Sequence, residues 1–296
     1  MTRKQTSTTT SPIVVGVVDD LRSDGAATVG WDLADRLDVR IGFVHGAGSG
    51  NSGTRTALPE ASDVGARLGR HLDEVLGERA GLGRPSGHLQ LRPGKGAQAL
   101  ADATREMDAG LLVLGGHRRR GLFDVGSTAS AALGHVQCAI WSQPCPAKPI
   151  SNVLVPVDLS EDSLAALDTA VRLARLWGAS VTVLSVFVPP AFAYAKDDEN
   201  APHYVIDKER DDLREELRQA MEAVEWGDTQ HGSVFVEGQP VEEILAVHSE
   251  TDLIVMATHG RSPLSDAFLG GVTRQVLQGS DTPVLAVRHP SRVRTD

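Results

Sequence analysis

Short apolar runs alternate along this chain with longer stretches in which apolar residues return every three or four positions. Residues 13–18 form one such run, closed by the acids Asp19 and Asp20; residues 153–157 form another, closed by Asp158. Continuous Val, Ile and Leu runs predict strands buried on both faces, and the periodic stretches between them predict helices. After each acid come an amphipathic stretch and a second apolar run, 41–45 in one case and 181–188 in the other. Farther on, 96–117 aligns with 238–259. Each of these is followed by a glycine step, at Gly126 and at Gly270 with Gly271, that opens a helical pattern. The chain is therefore written twice.

Two domains are expected, 11–148 and 150–290. Each reads strand, helix, strand, long helix, strand, helix, strand, helix. Right-handed crossovers then give two tandem doubly wound open parallel-sheet α/β domains. A closing strand is clear only in the second half, at 283–288. In the first half, 144–149 holds three prolines, and proline cannot donate to a ladder, so the last strand of that domain is expected to be degraded. The long helix of the second half is expected over 207–224, with Leu213, Leu217, Met221 and Val224 on its packed face. Its counterpart is expected over 61–76, with Gly77 as the stop. The glycine-rich stretch 46–53 is not followed by Gly-Lys-Ser/Thr, so it reads as a flexible connector rather than a Walker loop.

Open parallel sheets bind ligands at the carboxyl ends of their strands, near the point where strand order reverses. Three segments of each half fall there. The first is the acid closing the first strand, Asp158, with Ser160 or Asp162 as the helix cap behind it. A carboxylate there accepts hydrogen bonds from a ribose hydroxyl or serves as a plain turn acid. Its first-half equivalent is Asp19 or Asp20, with the register open by one residue. The second segment is the turn 256–261. There Gly260 allows close approach of the backbone to a pyrophosphate and Arg261 adds charge, while His259 has no companions at metal-ligand spacing. The third is the helix start at Gly270, Gly271, Val272 and Thr273, where free backbone N–H groups make an anion site.

These residues carry a resemblance. Both halves look like the universal stress protein family, and the chain resembles a tandem two-domain member from about residue 12 to 289. The family pattern is Gly, two residues, Gly, nine residues, Gly, then Ser or Thr. The second half reads Ala257, Thr258, His259, Gly260, then 261–269, then Gly270 and Gly271. The resemblance implies the adenine nucleotide α-hydrolase-like sandwich, pairing of domains as a homodimer and, in the subgroup with this pattern, bound ATP, ADP or AMP, with Mg2+ where phosphates call for it. By position it implies that Pro156, Val157 and Asp158 lie against the ribose and Val186 beside adenine. Met256, His259, Gly260, Arg261, Gly270, Gly271, Val272 and Thr273 would line the phosphates or the base. In the first half it implies Asp19, Gly115, His117, Gly126 and Ser127.

Two departures bear on affinity. Ala257 replaces the first glycine, and Gly271 replaces the hydroxyl residue that holds a terminal phosphate, a loss of about tenfold to a hundredfold that Thr273 and backbone N–H groups offset. In the first half Arg118 stands at the middle glycine and only seven residues precede Gly126, so the phosphate loop is short. The arginines at 118–120 clamp an anion, lie in a solvated loop, or touch an acidic face of the other domain.

Composition then narrows the function. The 296 residues are 41% hydrophobic and 23% charged, enough for real cores, while aromatics are only 4%. A formal charge of −10 disfavours nucleic acid and anionic membranes as partners. Two cysteines make neither a disulfide framework nor a four-thiolate zinc site. No run reads as a signal peptide or a membrane span, so the chain is expected in the cytoplasm. Three functions are weighed: an adenine-nucleotide-binding stress-response module with at most slow hydrolysis, an α-hydrolase-type enzyme, and a nucleotide-free dimeric scaffold. The Ser-Gly-Gly-x-Asp-Ser signature of such enzymes is absent after the first strand.

Overall fold

The computed structural model describes residues 11–18, 23–47, 58–115, 136–189, 203–259 and 270–288. The chain divides into two compact units that meet at Ala147 and Lys148. The first contains β1 (Ile13–Gly16), α1 (Asp24–Leu37), β2 (Ile41–Ala47), α2 (Leu58–Leu76), β3 (Leu89–Pro93), α3 (Gly96–Glu106), β4 (Leu111–Gly115) and β5 (Ala139–Gln143). Its strands are parallel, in the order β3-β2-β1-β4-β5. The second contains β6 (Asn152–Pro156), α4 (Glu161–Trp177), β7 (Ser180–Phe187), α5 (His203–Glu222), β8 (His231–Glu237), α6 (Pro240–Ala246), β9 (Leu253–Ala257), α7 (Gly271–Gly279) and β10 (Val284–Val287). Its strands are also parallel, in the order β8-β7-β6-β9-β10. Both units are open parallel α/β sheets, as the duplicated pattern predicts.

The central strands are apolar because helices cover both of their faces. All five residues of β9 are buried, and Val14, Val15, Leu112 and Val113 in the first unit have no exposed surface. The outer strand β8 is half exposed and carries His231, Ser233 and Glu237 accordingly. In each unit the first strand lies in the middle. Strand order therefore reverses between β1 and β4, and between β6 and β9, and each reversal opens a crevice at the carboxyl ends.

Three expectations are corrected. The last strand of the first unit is present: β5 pairs with β4 from Ala139 to Gln143, immediately before the proline run rather than within it. Its indole and amide make the end polar, with Trp141 Nε1 donating to Gln143 Oε1 at 2.8 Å. Gly46 and Ala47 belong to β2 and not to a connector, since they continue the ladder against Arg92 and Pro93. The long helix of the second unit ends at Glu222, so Val224 lies beyond it; Leu217 is its one buried member of the expected stripe, with Leu213 and Met221 half-buried. Gly77 does follow α2, at a φ of +66° that L residues rarely take. Neither cysteine is in a disulfide.

The second unit is fastened at its start by Asp252. Its Oδ2 accepts the backbone N–H groups of Ser151 and Asn152 at 2.9 and 3.0 Å, and its Oδ1 pairs with Lys148 Nζ at 2.8 Å. Burial alone would raise this carboxyl, but Lys148 and the two N–H groups outweigh it and hold it below 3.8. A depressed folded pKa contributes stability above the ordinary value and loses it as pH falls through the folded one. Asp252→Asn is therefore expected to cost about 1 kcal/mol at neutral pH, discounted for the exposure of Lys148. The difference from wild type should vanish well below pH 4 in urea melts taken across pH.

Candidate functional site

The carboxyl end of the second unit is built from the ends of β6, β7 and β9 and the start of α7. Past Pro156, the Val157 N–H donates to the Leu184 carbonyl at 2.8 Å, which carries the chain one step beyond β6. Asp158 follows, half-buried, and its Oδ1 accepts the backbone N–H of Ser160 at 3.1 Å and its hydroxyl at 2.5 Å. Leu159 between them takes a φ of +61°. Ser160 caps α4 by accepting the Ser163 N–H at 3.2 Å. The carboxylate is thus oriented by the turn that starts the helix, with its acceptor face at the end of the strand.

The second component is the passage from β9 to α7. The Thr258 N–H donates to the Val287 carbonyl at 2.8 Å, and the Thr258 hydroxyl shares a hydrogen bond with His259 Nδ1 at 3.0 Å. The Gly270 N–H donates to the Thr258 carbonyl at 2.6 Å. Thr273, buried, donates its hydroxyl to the Ala257 carbonyl at 2.7 Å. Two bonds therefore staple the first turn of α7 to the end of β9. Gly270 is the N-cap and supplies no side-chain acceptor, and the first turn contains no acid. The leading N–H groups of a helix have no partner within it, so they are left for whatever approaches. A Cβ on Gly271 would meet no described residue within 4 Å.

Apolar groups complete this end. Met256 is buried with Leu154, Leu184, Ile254, Val276 and Val284, and Val186 packs against that cluster from β7. Val188 is 47% exposed and Val272 is 37% exposed. The fold thus brings Pro156, Val157, Asp158, Val186, His259, Gly270, Gly271, Val272 and Thr273 to one end, with Met256 in the core beneath. The hydrogen of the Thr273 hydroxyl is spent on Ala257, so it does not replace the hydroxyl missing at Gly271. Gly260 and Arg261 lie outside the described residues. Val188 was not anticipated; an exposed valine just past a strand end was its only signal.

In the first unit, hydrogen bonding settles the register. The Val17 N–H donates to the Val44 carbonyl at 3.0 Å, as Val157 does to Leu184. The position matching Asp158 is therefore Val18, and the position matching Val186 is Gly46. Asp19 stands one residue late and lies outside the described residues. So do His117, the arginines at 118–120, Gly126 and Ser127. Gly115 ends β4, half-buried. His45, which sequence reasoning passed over, donates from Nδ1 to the Val17 carbonyl at 3.0 Å and ties β2 to the residue after β1.

Comparison with known proteins bears on this architecture. The model of the universal stress protein family matches residues 9–141 and again 149–288. Universal stress protein YxiE of Bacillus subtilis is 32% identical over 146 residues, which is 47% of this chain and 99% of that protein. Universal stress protein MJ0531 of Methanocaldococcus jannaschii is 30% identical over 144 residues, 48% of this chain and 84% of its own length. Among solved structures, a universal stress protein from Archaeoglobus fulgidus is similar with a TM-score of 0.66 at 15% identity, covering 95% of this chain and 99% of that chain. At that identity the likeness is one of fold.

Proposed function

The chain belongs to the universal stress protein family, and from that premise we propose that its second unit binds an adenine nucleotide and acts as a stress-response or regulatory module. The observation that carries this reading is the meeting of two complementary groups at one strand-order switch. The Asp158 carboxylate accepts from hydroxyl groups, and the uncapped start of α7 donates to anions. A nucleoside phosphate presents ribose hydroxyls and a phosphate in one molecule. The exposed valines at 188 and 272 add apolar surface at the same end, suited to a purine face.

The residues present fit such a ligand in donor set, since phosphate is met by backbone N–H groups without a cation. Among the described residues no group of three or more His, Cys, Asp or Glu is placed to hold a metal ion, so Mg2+ would arrive on the phosphates of ATP or ADP. The chain's own part is to bind and orient. Asp158, held by Ser160, is a fixed acceptor rather than a mobile base, which agrees with at most slow hydrolysis. Among the described residues no helix is long and apolar enough to cross a membrane. A homodimer, if formed, adds no residue that this reading requires.

Protein purified without added ligand, denatured and filtered, is expected to release an adenine nucleotide or, if stripped, to bind AMP or ATP in a calorimetric titration. Neither release nor binding would leave the nucleotide-free scaffold. That second reading is favoured by one observation: Asp158 and Thr273 both make the local bonds of ordinary turn and helix-start residues.

A further inference from the structure

The two carboxyl ends are not equally open. In the first unit two recognition positions differ. At the position of Asp158 stands Val18, whose side chain is 43% exposed and accepts nothing. At the position of Val186 stands Gly46, where a Cβ would lie 2.6 Å from Gly96 Cα and 2.9 Å from Gly96 N. The start of α3 is thus packed directly onto the end of β2, with no side chain to wall a ring and no room to install one.

We infer that the first unit takes no nucleotide, so that the full chain binds a single adenine nucleotide, in its second unit. This rests on the nucleotide reading given above. Each of the two differences removes a different part of the recognition. An isopropyl group cannot accept from a ribose hydroxyl, and loss of one hydrogen bond to a charged group is about tenfold or more in affinity. A purine beside Gly46 finds no side chain to bury it. The duplicated fold taken alone would give two sites per chain.

The test is a calorimetric titration of the full chain with AMP and, separately, with ATP. One equivalent per chain is expected. Asp158→Asn should weaken that whole signal at least tenfold, not halve it. Val186→Gly copies the first unit's residue without touching the Ser160 cap and should act in the same direction. Melting temperatures within about 5 °C of wild type would confirm that both variants are folded. Two equivalents per chain, or a full equivalent bound at wild-type affinity in both variants, would overturn the inference while leaving nucleotide binding intact. A wild type that binds neither AMP nor ATP would overturn the nucleotide reading itself, and this inference with it.

Discussion

Gly270→Asp is expected to abolish nucleotide binding while leaving the protein as stable as wild type or slightly more so. Gly270 sits at the N-cap of α7 with φ −61° and ψ 152°, an extended conformation open to any residue. Aspartate is among the best N-caps, because its carboxylate accepts the N–H groups of the first turn, and such caps contribute about 0.5–2 kcal/mol. Those N–H groups are the ones a phosphate would use. The variant would therefore satisfy the donors internally and set a negative charge against an incoming anion. Two charge-assisted bonds at about 1.5–3 kcal/mol each put the loss at a hundredfold or more. The added Cβ would lie 3.1 Å from the Thr258 carbonyl oxygen, which asks that oxygen to yield by a few tenths of an ångström. Gly270→Asn supplies the same shape without the charge and should lose less. The measurement is a titration with AMP and ATP beside a thermal melt. Wild-type affinity in Gly270→Asp would show that the start of α7 is not the phosphate site.

That residue was visible in the sequence because it belongs to a repeated spacing. So were most of the elements: a buried parallel strand needs a run of apolar residues, which β6 and β9 supply and which only Thr182 and Ser185 interrupt in β7. The failures share a cause. Analogy with 283–288 puts the end of the first unit in the prolines, whereas β5 is a short strand ending in a buried glutamine whose partner is the Trp141 indole. Composition does not mark a glutamine as a strand residue when its polar group is satisfied only after folding. The register of the first unit was open between Asp19 and Asp20 for a similar reason. One backbone bond, from Val17 to Val44, decides it in favour of Val18, and backbone bonds leave no trace in side-chain type. The resemblance gives Thr273 to the ligand by position; its actual partner, the Ala257 carbonyl, lies sixteen residues away in the chain.

The second large effect is on stability, and it separates volume from polarity within one side chain. Trp31 on α1 has no exposed surface and packs against Phe43 with ring centroids 5.8 Å apart and against His88 at 5.7 Å. Trp31→Ala removes one of the two fully buried tryptophans described in the first unit and is expected to cost about 3–5 kcal/mol, the range for emptying an aromatic site in a core. Against a typical total of about 5–15 kcal/mol, that is a large fraction of what holds a domain folded. Trp31→Phe should behave quite differently. The indole Nε1 is buried and finds no hydrogen-bond partner among the described residues. An unpaired buried donor carries a penalty of about 1–3 kcal/mol, which phenylalanine does not bear. Removing it offsets part of the volume lost, so Trp31→Phe should cost about 1 kcal/mol or less. Urea melts of both variants, followed by circular dichroism, give the two numbers. Equal losses in Trp31→Ala and Trp31→Phe would mean that the indole N–H is paired in solution. The site would then owe its stability to that bond rather than to the space the ring fills.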